Sequence, residues 1–239
     1  MEVTRIKLCG LSRPQDIQAA NALRPEYIGF VFAPKSPRYV SFQQAGILKE
    51  LLEKNIQAVG VFVKEKPEIV AELLNQGVID LAQLHGGEDE DYICRLRRLT
   101  KKPIIQAFSI ALRDGPAAAE EILAEEEIAA AEKSSADYVL LDSGKGGTGK
   151  VFNWECIRGI KRPYFLAGGL EPGNVADAIK RIRPYGVDVS SGIETDGRKD
   201  EKKMAEFVAR VRAEKHYAGH VGWQPHSKYS INDRKDRRI

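Results

Sequence analysis

TRIKLCGLSRPQDIQAANAL, residues 4–23, joins a short apolar run to an amphipathic stretch. The run 4–9 has the β-branched and aliphatic composition of a buried strand. Ser12 and Pro14 then supply helix start signals, because a serine side chain caps free N–H groups and proline fits the first helical turn. The segment therefore predicts one strand followed by one helix.

The same alternation recurs along the first 215 residues or so. The apolar runs are 4–9, 27–32, 58–63, 80–85, 103–109, 137–142, 164–168 and 187–191. Apolar strands that are each followed by a helix indicate a parallel sheet covered by helices. A doubly wound sheet is the alternative, but it usually has about six strands, whereas eight βα units match a closed barrel of about 250 residues. We predict an α/β fold, a single (β/α)8 TIM barrel with eight parallel strands over residues 1–217.

Composition and charge exclude several classes of protein. The chain has no run of about 18 apolar residues, as a membrane helix needs, and it does not begin like a signal peptide. We expect a cytoplasmic protein without a membrane partner. Residues 216–239 hold five Lys/Arg against two Asp, which accounts for the whole net charge of +3. The neutral body argues against a nucleic-acid partner, and the polar segment 218–239 is predicted to be a flexible basic extension.

The three cysteines are Cys9, Cys94 and Cys156, and they are widely spaced. They form no CxxC pair, so the sequence predicts neither a disulfide framework nor a metal site. Cys94 and Cys156 fall in helical patterns and are expected to be packing residues. Cys9 instead ends a predicted strand.

Reactive side chains follow several of the predicted strands. Cys9 ends the first strand, Arg38 follows the second in APKSPR, His85 ends the fourth and Asp142 ends the sixth. Because active sites of such barrels form where the strands end, these groups are expected at one rim. A thiol, a carboxylate and a guanidinium there predict acid/base chemistry on an anionic substrate. The structural alternatives are a helix cap or ion pair for Asp142, a solvated charge for Arg38 and a buried hydrogen-bonded histidine for His85.

Two small-residue loops follow the last two strands. Gly168 and Gly169 come after the seventh, and Ser190, Ser191 and Gly192 come after the eighth. Backbone N–H groups and hydroxyls at this place in a barrel commonly hold a phosphate. The sequence therefore predicts a phosphorylated small-molecule substrate, and the alternative is that the glycines only form tight turns.

GKGGTGK, residues 144–150, matches the beginning of a nucleotide-binding P-loop. The next residue is Val151, so the hydroxyl that would hold Mg²⁺ is missing. We therefore interpret this segment as a glycine-rich lid over a substrate, with an ordinary surface loop as the alternative.

Lys7 has two possible roles beside Cys9. Side chains alternate along a strand, so Lys7 and Cys9 point to the same side, toward the barrel interior. A buried ammonium favours a thiolate at Cys9, or it pairs with Asp188 on the strand that closes the barrel. The sequence leaves both open.

These segments resemble the phosphoribosylanthranilate isomerase family, a (β/α)8 barrel of tryptophan biosynthesis. The matching segments occur in family order over about residues 6–215, and they are KLCG, GFVFAPKSPR, VGVFV, QLHG, LLDS with GGTGKVFNW, LAGGLEPGNV and VDVSSGIETDGRKD. A related barrel such as indole-glycerol-phosphate synthase is disfavoured, because its chemistry rests on lysines and glutamates at the strand ends. A non-catalytic phosphate-ligand sensor is the alternative outside enzymes.

The resemblance implies a reaction and a role for each rim residue. Cys9 would be the general base, Asp142 the general acid and Arg38 the group that binds the anthranilate carboxylate. The phosphate would lie at Gly168, Gly169, Ser190, Ser191 and Gly192. The implied reaction is the Amadori rearrangement of N-(5-phosphoribosyl)anthranilate to 1-(2-carboxyphenylamino)-1-deoxyribulose 5-phosphate. It needs no metal or organic cofactor, because the substrate nitrogen is the electron sink, and it suits a monomer or a homodimer.

Overall fold

Eight parallel strands close into a barrel in the computed structural model, which describes residues 3–110, 117–144, 157 and 160–214, with the backbone alone over 117–124. The strands are β1 (Arg5–Cys9), β2 (Tyr27–Val31), β3 (Gln57–Phe62), β4 (Leu81–Leu84), β5 (Ile104–Ser109), β6 (Tyr138–Asp142), β7 (Tyr164–Ala167) and β8 (Gly186–Val189). Each strand pairs in parallel with its neighbours in chain order, and β8 closes on β1. The predicted barrel is confirmed, and its strand ends differ from the predicted ones by at most two residues.

Seven helices in the described ranges surround the strands. They are α1 (Pro14–Leu23), α2 (Phe42–Glu50), α3 (Pro67–Gln76), α4 (Glu90–Leu99), α5 (Ala117–Lys133), α6 (Val175–Ile182) and α7 (Glu201–Ala213). Between β8 and α7 the chain forms a 3-10 turn, Ser191–Ile193, and a short antiparallel hairpin of β9 (Glu194–Thr195) and β10 (Arg198–Lys199). This hairpin is an addition to the regular βα repeat, and it lies beside the predicted site.

The strands bury side chains on both faces. Outward-facing residues such as Ile6 and Leu8 join the helices in the main core, which includes Phe207 of α7. Inward-facing residues form a second cluster inside the barrel, in which the Tyr27 and Phe165 rings meet edge to face with centroids 5.5 Å apart. This cluster fills much of the barrel interior, so the mouth where the strands end is the place for a site that a ligand can reach.

Cys94 is exposed on α4, so its prediction as a packing residue is wrong. The buried face of α4 is formed by Tyr92, Ile93 and Leu96, and the helical period turns position 94 away from it. Cys156, the loop residues 145–150 and the extension 218–239 lie outside the described residues.

Two negative findings apply to the described ranges. No helix there combines the length and the apolar character that a membrane crossing needs. No group of three or more His, Cys, Asp or Glu side chains in the same ranges is arranged to hold a metal ion.

Candidate active site

Cys9 is the last residue of β1 and points into the barrel mouth, where it is 8% exposed. Its partner in the register with β2 is Gly29. A Cβ atom added at Gly29 would lie 2.7 Å from the Cys9 Sγ, closer than real side chains approach. Gly29 therefore provides the space for the thiol, a role that a glycine within a strand did not reveal in the sequence.

Lys7 pairs with Asp188 directly below Cys9. The Lys7 side chain is fully buried, and its Nζ donates to Asp188 Oδ1 at 2.9 Å. Burial by itself would lower the pKa of Lys7, but the Asp188 carboxylate outweighs burial and raises that pKa. The lysine is therefore a buried ammonium, and of its two predicted roles the pairing with Asp188 is confirmed.

The Cys9 thiol keeps its proton in the free protein. Burial raises the pKa of Cys9, the Lys7 ammonium lowers it, and the Asp188 carboxylate raises it again. The net direction is upward, because burial outweighs the Lys7 ammonium and the Asp188 carboxylate offsets part of the effect of that ammonium. The free protein therefore presents a neutral thiol at the mouth.

Asp142 ends β6 and lies in the same mouth as Cys9, with β7 and β8 between their strands around the barrel. Its Oδ1 accepts the backbone N–H of Gly144 at 2.9 Å, and its Oδ2 lies 3.2 Å from His85 Nε2. Burial acts to raise the pKa of Asp142, but the hydrogen bonds from His85 and Gly144 hold that pKa below its ordinary value. The carboxyl group is therefore ionised in the free protein at neutral pH.

Arg38 forms a bidentate ion pair within the protein. Its Nε and Nη2 donate to the two carboxylate oxygens of Glu194, each at 2.7 Å. One edge of the guanidinium is thereby occupied, and the Nη1 edge is the one left for a substrate carboxylate. The prediction of Arg38 as a carboxylate-binding residue is compatible with this geometry but restricted to that edge.

Glu194 and Lys199 link Arg38 to the loop after β8. Lys199, which is 8% exposed, donates to Glu194 Oε1 at 2.6 Å and to the Ser190 carbonyl oxygen at 2.9 Å. The Ser190 hydroxyl in turn donates to the Cys9 carbonyl oxygen at 3.2 Å. Neither Glu194 nor Lys199 was identified from the sequence, because only the β9–β10 hairpin brings them to the rim.

The two loops predicted to bind phosphate lie against each other. Gly168 and Gly169 both have positive φ, at 89° and 62°. Across from them, the backbone of Gly192 approaches Leu170 so closely that a Cβ atom would lie 1.9 Å from the Leu170 carbonyl oxygen. The structure thus brings both loops to the side of the mouth between β7 and β8, near Cys9.

The chain is similar in sequence to proteins of one named family. A family model described as N-(5'phosphoribosyl)anthranilate (PRA) isomerase matches residues 6–210. The N-(5'-phosphoribosyl)anthranilate isomerase of Endomicrobium trichonymphae is 41% identical over 213 residues, which cover 87% of this chain and 98% of that protein. The protein of the same name from Thermoanaerobacter sp. strain X514 is 41% identical over 212 residues, covering 88% and 98%.

Solved structures of the same name are similar in fold. The phosphoribosyl anthranilate isomerase of Thermotoga maritima superimposes with a TM-score of 0.74 at 30% identity, covering 88% of this chain and 99% of that one. A structure of a phosphoribosyl anthranilate isomerase in complex with reduced 1-(o-carboxyphenylamino)-1-deoxyribulose 5-phosphate gives a TM-score of 0.71 at 29% identity, with the same coverage. Both the sequence and the barrel therefore match one family over nearly the whole described body.

Proposed function

The chain belongs to the N-(5'-phosphoribosyl)anthranilate isomerase family, and on that premise we propose that Cys9 is the general base and Asp142 the general acid of its reaction. The activity is an aldose-ketose isomerisation of tryptophan biosynthesis. The observation that supports the two roles is that β1 and β6 deliver a thiol and a carboxylate to one barrel mouth. Both are proton-transfer groups beside a side chain that binds carboxylates.

The proposed reaction proceeds in two proton-transfer stages. Asp142 donates a proton to the ribose ring oxygen while the bond from that oxygen to C1 breaks, and the nitrogen lone pair forms a C=N bond to C1. The Cys9 thiolate then removes the proton from C2. The electron pair of that C–H bond forms the C1=C2 double bond while the π electrons of the C=N bond return to nitrogen, and the resulting enolamine tautomerises to the ketone. The substrate nitrogen accepts and returns the electrons, so the proposal needs no cofactor.

The binding groups follow from the charges of the substrate. We assign the phosphate to Gly168, Gly169, Ser190, Ser191 and Gly192, where small residues expose backbone donors. The carboxylate of the anthranilate ring is assigned to the free edge of Arg38. Bound anions near Asp142 would raise its pKa, because a like charge disfavours the ionised form. Substrate binding itself thus prepares the acid for protonation.

Substitution of Arg38 by alanine is expected to weaken substrate binding. Loss of the proposed charge-assisted contact between Arg38 and the substrate carboxylate should raise KM by about ten- to a hundredfold, with a smaller effect on kcat. Arg98, an exposed residue in the last turn of α4 at the opposite end of the barrel, offers a matched control. Steady-state kinetics of Arg38→Ala and Arg98→Ala make the comparison, and an unchanged KM in Arg38→Ala would remove it from the carboxylate site.

The pH dependence of kcat/KM is expected to be a broad plateau. The active form carries one proton on Asp142 and none on Cys9, so it belongs to the singly protonated state of the pair. That state predominates between the two pKa values, which lie far apart because the hydrogen bonds from His85 and Gly144 lower the pKa of Asp142 and burial raises the pKa of Cys9. The rate should fall only below the first value and above the second.

A pH series of kcat/KM measures this profile. A steady rise of about tenfold per pH unit through neutrality would show instead that thiolate formation alone limits the reaction. That outcome would contradict the role of Asp142 as the acid, because the active form would then need only an ionised Cys9 and no proton on Asp142.

The direct test of the proposed function is turnover of N-(5'-phosphoribosyl)anthranilate by the full chain. We expect formation of the carboxyphenylamino deoxyribulose phosphate, followed by its absorbance and mass. Binding of the substrate without isomerisation would favour the phosphate-ligand sensor.

Oligomeric state is a separate question, because one solved structure contains mutually generated monomers of the dimeric phosphoribosylanthranilate isomerase of Thermotoga maritima. For the present chain a monomer or homodimer, and a cytoplasmic location, remain predictions.

A further inference from the structure

Two successive hydrogen bonds connect the barrel interior to Asp142. Gln83 of β4 is 1% exposed, and its Nε2 lies 2.8 Å from His85 Nδ1. His85 Nε2 lies 3.2 Å from Asp142 Oδ2. Resting on the proposed role of Asp142 as the acid, we propose that Gln83 and His85 are positioning residues, in which Gln83 holds His85 neutral with its hydrogen on Nε2 and His85 orients the Asp142 carboxyl group.

Donor and acceptor roles determine the state of His85. An ionised carboxylate only accepts hydrogen bonds, so His85 Nε2 must carry the hydrogen that faces Asp142. Gln83 presents its NH₂ group, which only donates, to His85 Nδ1. A hydrogen on Nδ1 would face another N–H, so this arrangement opposes the imidazolium form. The proposed form of His85 is thus the Nε2–H tautomer, which gives each of the two contacts one donor and one acceptor.

The other amide atom of Gln83 indicates that this contact is more than packing. Gln83 Oε1 is buried and has no hydrogen-bond partner among the described residues. An unpaired buried acceptor destabilises a fold, and an apolar side chain of similar length would avoid that cost. The amide therefore has no packing advantage in this position, and its contribution is the hydrogen bond to His85 Nδ1.

The acidic side chain that follows His85 in the described loop after β4 is held by backbone groups. Glu88 is the nearest acidic residue in sequence, and its two oxygens accept the backbone N–H groups of Lys64 at 2.7 Å and Gly86 at 2.8 Å. The carboxylate that faces the imidazole is thus Asp142, and the neutral partner on its other side is Gln83. Backbone hydrogen bonds keep Glu88 engaged elsewhere.

The charge of His85 matters because Asp142 must gain a proton in each turnover. A neutral imidazole donates one hydrogen bond that orients the carboxyl group. An imidazolium at the same distance would form an ion pair, and an opposite charge so close favours the ionised carboxylate by a further one to three pKa units, roughly. By keeping His85 neutral, Gln83 leaves Asp142 able to accept the proton that it must deliver.

The charge state of His85 is measured directly by ¹⁵N NMR of the imidazole nitrogens at pH 7 in the full chain, with His85→Asn to assign the signals. We expect the neutral Nε2–H tautomer in the wild type. In Gln83→Glu the new carboxylate accepts from Nδ1–H, so the imidazolium should predominate. An imidazolium or Nδ1–H tautomer in the wild type, or unchanged signals in Gln83→Glu, would overturn the proposal. The NMR measurement does not depend on turnover, so it separates failure of the proposed positioning by Gln83 and His85 from failure of the proposed function.

Kinetics and stability complete the test. Gln83→Glu should lose at least about tenfold in kcat, because the protonated fraction of Asp142 falls tenfold per pKa unit, while KM changes little. Gln83→Met should unfold at an equal or higher temperature than the wild type and still lose turnover. Gln106→Met is the control for loss of a buried amide, since Gln106 of β5 is buried and hydrogen-bonds to the Glu88 carbonyl oxygen and the Ser134 hydroxyl instead of to His85, so this variant should lose thermal stability and keep kcat. Wild-type turnover in Gln83→Glu, or a loss in both methionine variants alike, would refute a positioning role.

Discussion

Cys9→Ala is expected to lower kcat by about 100- to 10,000-fold, the range that a positioned general base contributes. The variant removes one sulfur atom from a side chain at the mouth, where Cys9 lies beside Val31 and Val61. The main core on the outer side of the strands is untouched, so the barrel should stay folded. Steady-state kinetics and thermal unfolding of the same preparation measure both quantities.

Cys94→Ala is the control for this variant. Cys94 is an exposed cysteine on α4, so its loss tests the effect of removing a thiol outside the mouth. Turnover of Cys94→Ala should equal that of the wild type. Near-normal kcat in Cys9→Ala would mean that another group removes the C2 proton, and the proposed base would be abandoned.

Asp142→Asn is expected to lower kcat by a similar 100- to 10,000-fold, approximately. Asparagine has nearly the same shape, but its amide cannot deliver a proton to the ring oxygen. Its oxygen can still accept the Gly144 N–H, and its NH₂ group would then face the N–H of His85. That contact between two donors removes the hydrogen bond to His85, but the groups assigned to the phosphate and the carboxylate are unchanged, so kcat should fall with little change in KM, as kinetics over a range of substrate concentrations will show.

Asp137 offers a matched carboxylate at the start of β6. It pairs with Arg97 and accepts the backbone N–H of Ile104 at 2.8 Å. Asp137→Asn should therefore reduce thermal stability while leaving kcat unchanged, the reverse of the expected result for Asp142→Asn. Equal losses of kcat in both variants would show that any carboxylate lost from β6 disturbs the barrel, and the acid assignment would fail.

Periodic patterns in the chain were sufficient to predict the barrel and the position of its mouth. Eight apolar runs each became one parallel strand, because a strand buried on both faces has a composition that helices and loops do not share. Residues that directly follow such runs meet at one rim in any closed parallel barrel. For that reason Cys9, Arg38 and Asp142 were predicted to lie at one rim without knowledge of a single contact.

Contacts between distant parts of the chain could not be predicted in this way. Lys7 and Asp188 are 181 residues apart, Arg38 and Glu194 are 156 apart, and their pairing depends on the closure of the barrel and on the β9–β10 hairpin. Local pattern carries no information about such partners. The sequence therefore left two roles open for Lys7 and missed Glu194 altogether.

The protonation of Cys9 and Asp142 likewise depends partly on residue type and partly on the folded structure. Residue type alone predicted that Cys9 and Asp142 exchange protons, and the family resemblance implied which of them is the base and which the acid. The direction of each pKa depends on burial and on neighbours that only the folded chain supplies: the barrel wall raises the pKa of Cys9, and the hydrogen bonds from His85 and Gly144 lower that of Asp142. Chemical identity is a property of the residue, whereas its free energy of ionisation is a property of its surroundings.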